Sequence, residues 1–493
     1  MQYLIIFGLN CEHNNMNVTE IRSVLDKKEF RRFGEYIRSP YFNSEPRFIR
    51  LFEILDAAKE EMTREQIAES FFGNSSAVKE LRFRKLISEF MKLFKAYLSQ
   101  SEYDLSELTK RKMELQWLRK KKDIDGFFKL GIDTNNYIKN TFEKDEEYYL
   151  ELIQIFSKIY EFRDSNLDEP ENDFCFVIND YLDMYFLSMK LFLFQRMESL
   201  EYSVEFDITE LKTFEKSIYE YISDHKEELK SRHPEIYLRY ISILLNKSGF
   251  ENALYEEYID VLSKTEASMN INDYGLLLTL LNTISKFMNS GQRNLESKVL
   301  EVAEILYEKK LVDKKGLGYV DLKIIIEAAI GIKKFDWALE YMRKVKDHIK
   351  YENPRNAYDM LSAKILFFKS DFKTARLLLS SITIDDYIFY CEAKLIECRI
   401  AFIESDHESV LQISETVKKY LKSHKEIGAH FIQAYNIFAD IIKRLSEMIL
   451  KHHKKSDYEF MLLSLEKEVN TLDKPCYAHR WIIGQIEKMK AGN

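Results

Sequence analysis

Ten histidines and five cysteines are the side chains of this 493-residue chain best suited to holding a metal or attacking an electrophile, and their spacing argues against both. A helical metal site needs ligands about one turn apart. His452 and His453 are adjacent and so diverge on a helix, and His424 and His430 are out of phase. Cys11, Cys175, Cys391, Cys398 and Cys476 form an odd set with no Cys-x-x-Cys pair, which predicts neither a disulfide framework nor a thiolate centre and fits a reducing cytoplasm. Cys391 and Cys398 share a helix face but stand two turns, about 10 Å, apart, beyond disulfide reach; both are expected as small buried hydrophobes. Gly316-Leu317-Gly318 lacks the further glycines and the Lys-Ser/Thr of a phosphate-binding loop. The 81 acidic residues show no recognisable pairing. No catalytic, cofactor-binding or metal-ligating residue is assigned, and no cofactor is expected.

Two groups are better suited to binding. Arg82, Arg84, Lys85, Lys92 and Lys95 lie away from the stripe Phe83, Leu86, Ile87, Phe90, Phe94, Tyr97 and Leu98, so a strongly amphipathic helix with a basic outer face is expected. Residues 26–95 carry 15 Lys/Arg against 12 Asp/Glu, a local +3 in a chain of net charge −8, which leaves −11 elsewhere. That balance excludes a protein that coats nucleic acid along its whole surface; a local basic patch is compatible with it. Tyr41, Phe42 and Asn43 follow Ser39-Pro40 and precede Ser44-Glu45-Pro46, an aromatic turn that either locks two helices together or presents a recognition knob.

The elements that must position these residues are helical. Glycine and proline together make up about 4% of the chain against the usual ~12%, so long helices with short connections follow. Capping boxes at Asp26-Lys27-Lys28-Glu29 and Thr63-Arg64-Glu65-Gln66 start two helices. The first stops before Pro40, Pro46 opens another that runs to about Ala58, and Gly73 closes the helix begun at Thr63. Gly126, Gly131 and the polar stretch 163–173 are expected to break the helical pattern of 104–200, with a brief strand-like alternation at Tyr202, Val204 and Phe206. Residues 1–16 are expected to be a poorly structured extension without signal-peptide character. Phe174 to Met197 is the most apolar stretch; five polar residues interrupt it, so a buried helix is expected rather than a membrane span.

After residue 235 a short segment recurs: Ser248-Gly249-Phe250-Glu251-Asn252-Ala253-Leu254, Lys333-Lys334-Phe335-Asp336-Trp337-Ala338-Leu339, Ser370-Asp371-Phe372-Lys373-Thr374-Ala375-Arg376 and Ser405-Asp406-His407-Glu408-Ser409-Val410-Leu411. Each copy is expected to mark the turn of a helical hairpin. The polar pair ends one helix and caps the next, the ring at 250, 335 or 372 fills the hairpin core, and the Ala or Val sits where the helices approach. The gap from 250 to 335 leaves room for two hairpins. Spacings near 34 residues and Asn353-Pro354 at a repeat end make 235–450 resemble tetratricopeptide-type repeats, although the usual Trp and Gly-Tyr positions are mostly missing. Residues 62–98 resemble the helical part of the winged helix in bacterial activators that carry such repeats, through Met62-Thr63-Arg64-Glu65-Gln66-Ile67-Ala68 and Leu81-Arg82-Phe83-Arg84-Lys85-Leu86. That resemblance implies a helix from Ser76 to Leu98 in the DNA major groove. Glu80 and Glu89 interrupt its positive face, and no strand pair for a wing follows Leu98. Ser39-Pro40-Tyr41-Phe42-Asn43 resembles a segment of an uncharacterised bacterial family of Bacteroidota type, which implies no activity.

The expectation is an all-α protein: an extension (1–16), an N-terminal helical domain (17–103), a helical middle (104–207) and a tetratricopeptide-like α-α superhelix (208–493). Such arrays leave a concave surface, so the expected role is non-enzymatic binding of a protein or peptide, without membrane association. A DNA-binding regulator using 62–98 with a repeat sensor domain is the alternative, and an unrecognised enzyme the third.

Overall fold

In a computed structural model, residues 18–58, 62–73, 77–164, 173–201, 214–265, 272–292, 294–383, 387–424, 428–451, 455–472 and 476–491 are described. Among them the chain is all-α, with twenty-five α-helices and one pair of two-residue strands. It divides into two compact units, Met1–Thr141 with Glu151–Ile178, and Phe142–Leu150 with Asn179–Asn493. The extension 1–16, the loop core 165–172, the alternation at 202–206 and the pair His452-His453 lie outside the described residues. Among the described residues no helix is long and apolar enough to cross a membrane.

The first unit holds α1 (Ile21–Val24), α2 (Lys27–Arg38), α3 (Pro46–Ala57), α4 (Arg64–Phe72), α5 (Ala77–Leu105), α6 (Glu107–Lys121) and α7 (Ile124–Thr141). Asp26 and Thr63 form the capping boxes their sequences specify, and Gly73 ends α4 at φ 73°, a left-handed conformation that glycine adopts without strain. Phe33, Phe52, Phe83, Phe90 and Phe94 from α2, α3 and α5 make an aromatic core. Gly126 and Gly131 do not break a helix: both lie inside α7, where Gly131 faces the Ile159 side chain so closely that a methyl group there would stand 2.9 Å from it. Close approach, not chain reversal, is what that glycine permits. Residues 77–164 contain no strand, so no wing follows α5, which continues to Leu105 and hands over directly to α6 at Ser106.

α8 (Glu146–Asp164) and α9 (Asp173–Glu201) contribute to both units. The expected buried helix at 174–197 is half exposed: Met184, Leu187, Ser188, Leu191 and Phe194 form a buried stripe, while Phe176, Leu182, Phe186 and Leu193 face outward. One side of a helix suffices to bury it against one layer.

The second unit continues with α10 (Glu215–Asp224), α11 (Lys226–Arg232), α12 (Pro234–Ser248), α13 (Asn252–Lys264), α14 (Asp273–Asn289), α15 (Glu296–Glu308), α16 (Leu311–Lys315), β1 (Leu317–Gly318), α17 (Tyr319–Gly331), α18 (Phe335–Val345), β2 (Ile349–Lys350), α19 (Pro354–Phe368), α20 (Phe372–Ser380), α21 (Tyr387–Ile403), α22 (His407–Ser423), α23 (Ala429–Leu450), α24 (Lys455–Asn470) and α25 (His479–Ala491). β1 and β2 pair in parallel. Consecutive helices pair as hairpins at α12/α13, α14/α15, α17/α18, α19/α20 and α21/α22, and α12, α14, α17, α19, α21 and α23 contact one another in succession.

The recurring segment forms the turns of four of these hairpins. Lys333, Ser370 and Ser405 adopt φ of 60°, 66° and 64°. At the second of these, the Ser370 N–H donates to Phe367 O and the Asp371 N–H to Leu366 O, at 3.1 and 2.9 Å, which ends α19. Asp371 and Asp406 then cap α20 and α22, accepting from the Thr374 and Ser409 N–H groups. Ala338, Ala375 and Val410 are fully buried, as their close-approach role requires. The copy at 248–254 is shifted, by one residue at the positive φ, which Gly249 takes, and by two at the cap, which falls on Glu251, and at the buried position, which Tyr255 fills while Ala253 is exposed. Of the rings, only Phe250 is buried; Phe335 and Phe372 are half-buried at hairpin mouths. Between the α12/α13 and α17/α18 turns lies one hairpin, α14/α15, not two, with α16 and β1 occupying the remaining length.

Candidate functional site

The basic face predicted for α5 is present. Arg82, Arg84, Lys85, Lys92 and Lys95 are all exposed, opposite the buried Phe83, Leu86, Phe90, Phe94 and Tyr97. Arg84 is spent on Glu80 at 2.8 Å, whereas Arg82, Lys85, Lys92 and Lys95 make no ion pair among the described residues. The turn residues divide. Tyr41 is 88% exposed, Phe42 stacks on Tyr36 with centroids 4.2 Å apart, and Asn43 is structural. The Asn43 Nδ2 donates to Ile37 O (2.8 Å) and Glu45 O (3.2 Å), and its Oδ1 accepts the Glu45 N–H (2.9 Å). Phe42, Tyr36 and Tyr97 wall a cavity of about 470 Å³ in the first unit.

None of these residues belongs to the roomier groove of about 1140 Å³ in the second unit, which α9, α12 and α14 line with Phe192, Gln195, Arg196, Arg239, Asn246, Asn272, Leu276, Thr279, Asn282, Thr283, Lys286, Phe287 and Ser290 among others. α14 builds its floor. Leu277, Leu280, Leu281 and Ile284 bury one side of that helix, which turns the polar series Thr279, Asn282, Thr283, Lys286 and Ser290 into the groove. Asn272 fixes the helix start by accepting the Gly275 N–H at 3.0 Å. A ladder of hydrogen bonds then holds the floor: Thr279 Oγ1 donates to Gly275 O, Thr283 Oγ1 to Thr279 O, and the Asn246 Nδ2 on α12 to Ser242 O and Thr283 Oγ1. The Lys286 Nζ reaches Asn246 Oδ1 at 3.4 Å.

The groove's two arginines are held differently. Arg239 is paired to Glu146 and donates to Ser188 O at 3.0 Å. Two guanidinium groups lie over the Phe192 ring, Arg196 at 5.4 Å and Arg239 at 5.8 Å from its centroid. Arg196 is exposed and makes no hydrogen bond or ion pair among the described residues. Asp321, just beyond the lining, accepts from Asn282 at 3.5 Å; burial holds its carboxyl above the ordinary range, and that hydrogen bond works the other way.

The groups most often used in acid–base or nucleophilic chemistry lie elsewhere. Burial pushes the Cys391 and Cys398 thiols up to about 12 and the Cys476 thiol to about 11, and all three are buried as the sequence predicts for Cys391 and Cys398. Among the described residues no group of three His, Cys, Asp or Glu side chains is placed to hold a metal ion. A buried Tyr149–Glu235–His233 cluster joins the segment before residue 150 to the start of α12; Tyr149 donates to Glu235, and burial raises its hydroxyl. The sequence analysis missed the groove residues. Their signal was a Thr/Asn/Thr/Lys/Ser series at helical spacing on a Leu-rich helix, legible only once α9 and α12 are known to face it. No family model, no curated protein and no solved structure matches this chain.

Proposed function

We propose that this protein is a non-enzymatic binding scaffold whose second unit, a set of degenerate helical repeats of tetratricopeptide-like kind, takes a segment of a partner protein in the α9/α12/α14 groove. The observation that supports this reading most directly is the lining of that 1140 Å³ groove: side-chain amides, hydroxyls and cations, with Phe192, Leu276 and Phe287 beside them and, among the described residues, no Asp, Glu, His, Cys or Tyr. Such a surface offers hydrogen bonds and some apolar contact to a chain laid along it, without a general base or acid aimed at a substrate. The test is a photo-crosslinking residue at position 279 in the full chain, activated in the cells of origin. A discrete protein adduct, its crosslinked peptide identified by mass spectrometry and lost when the probe is moved to exposed Tyr41, is the expected result. No adduct at 279, or a pattern identical to that at 41, overturns the reading.

A second reading, contact of α5 with a nucleic-acid backbone, is favoured by the four cations Arg82, Lys85, Lys92 and Lys95, which make no ion pair among the described residues. If it holds, duplex DNA binding by the full chain falls steeply with salt and drops when these four become Gln. Equal binding by the two proteins removes it.

A further inference from the structure

We infer that the segment accepted by the groove is acidic, an extended stretch bearing Asp or Glu side chains; this rests on the scaffold reading above. The groove's hydroxyls and amides are largely consumed internally, Thr279 and Thr283 by the carbonyls one turn back, and both Asn246 donors by Ser242 O and Thr283. The donors that remain are the five N–H groups of Arg196, which have no partner among the described residues, and the Nδ2 of Asn272, whose Oδ1 is spent on the helix start. Lys286 adds positive charge to the same walls, whereas the charge of Arg239 is offset by Glu146. Of the described carboxylates around the groove, Glu146 lies against Arg239, and Asp321 is half-buried beside Asn282.

A surface with free donors and cations, and no carboxylate among its described lining residues, complements a ligand that brings acceptors and negative charge. A basic segment would meet repulsion from Arg196 and Lys286, and a neutral one would leave the Arg196 guanidinium without the planar, two-oxygen partner that it fits best. Phe192 helps here. Its ring contact holds the Arg196 guanidinium beside the groove and lowers the entropy lost when a carboxylate is engaged.

The test uses the full chain and fluorescein-labelled peptides of about ten residues that alternate Ser with Glu, Gln or Lys, read by anisotropy at low salt where charge steering is largest. The Glu peptide is expected to bind, with the Gln and Lys peptides weaker by roughly tenfold or more. Arg196→Gln is expected to weaken the Glu peptide about threefold to fivefold, and Arg196→Lys much less, at unchanged helix content. The inference is overturned if the Gln peptide binds as well as the Glu peptide, if Arg196→Gln binds the Glu peptide unchanged, or if a single-stranded oligonucleotide displaces that peptide from the groove and binds more tightly. A protein adduct at position 279 together with indifference to peptide charge would sink the acidic ligand alone; absence of any adduct would sink the scaffold reading itself.

Discussion

Asn43 and Tyr41 stand two residues apart in one turn, yet their side chains serve different ends. Asn43 spends its amide on three backbone groups, two donated bonds and one accepted, so it holds the connection between α2 and α3. Asn43→Ala is expected to cost about 1–2 kcal/mol in urea unfolding, since it orphans the Ile37 carbonyl and the Glu45 N–H. Tyr41→Ala should stay within roughly 0.5 kcal/mol of the parent, as exposed substitutions do. Reversal of that order would mean that the turn is locked by its rings. Glu257 supplies the pH counterpart. Burial works against its charge, but Lys226 at 2.7 Å, Lys230 at 2.8 Å and the Tyr237 hydroxyl at 2.9 Å outweigh that and hold its carboxyl at about 2 against an ordinary 4.5. A carboxyl depressed in the folded state binds fewer protons there than in the unfolded chain. Its stabilisation is therefore present above the ordinary 4.5 and is lost as pH falls from there toward 2. With solvent screening counted, the wild type should exceed Glu257→Gln by about 1–2 kcal/mol near neutral pH, and the gap should close in acid. A gap that stays constant down to the acid limit would assign the effect to packing.

At the scale of the helices, small residues decide which turns can close. Ala375 is fully buried four residues after the Asp371 cap, where α19 and α20 approach, whereas Ala253 is exposed because the start of its helix is shifted by two residues. Ala375→Phe should cost about 1–3 kcal/mol or more by overpacking, and Ala253→Phe almost nothing, measured as thermal midpoints at matched concentration. Equal melting of the two variants would refute the assignment of close approach. The same pair shows what could be read in advance. Caps, stop signals and the Ser-Asp turns are local: the side chain that forms the structure sits within four residues of the backbone it bonds, so Asp26, Thr63, Asp371 and Asp406 announced their roles. A one-residue shift at Gly249 was not legible, because a glycine and the serine before it are equally plausible at the left-handed position until the packing of Tyr255 selects between them. Gly131 misled for the reverse reason: its neighbour Ile159 lies on the next helix, and only that contact distinguishes a close approach from a break. The groove was hidden more deeply, since Phe192, Asn246 and Thr279 come from three helices whose meeting depends on everything packed beneath them.

Across the whole molecule, each unit carries a hydrophobic core of its own. In the first, Phe33 is fully buried and meets Phe52, Phe90 and Phe94 edge-on at centroid distances of 5.7, 5.8 and 5.0 Å. In the second, Cys391, Leu395, Phe438, Ile442 and Leu465 belong to a separate cluster formed by α21 to α25. Deleting a ring from one core removes contacts that the other does not share, so the damage should stay within the unit. Phe33→Ala is expected to cost about 3–5 kcal/mol of local stability, the usual range for a buried phenylalanine that leaves a cavity. Hydrogen exchange followed by mass spectrometry can read this peptide by peptide. Amides of α2, α3 and α5 should exchange faster by several orders of magnitude, those of α21 to α23 should keep their protection, and the Glu-containing peptide should still bind. Uniform loss of protection from end to end would show instead that the chain unfolds as one cooperative body; the separate cores would then be two regions of a single folding unit, and a substitution near α5 would be expected to disturb the groove as well.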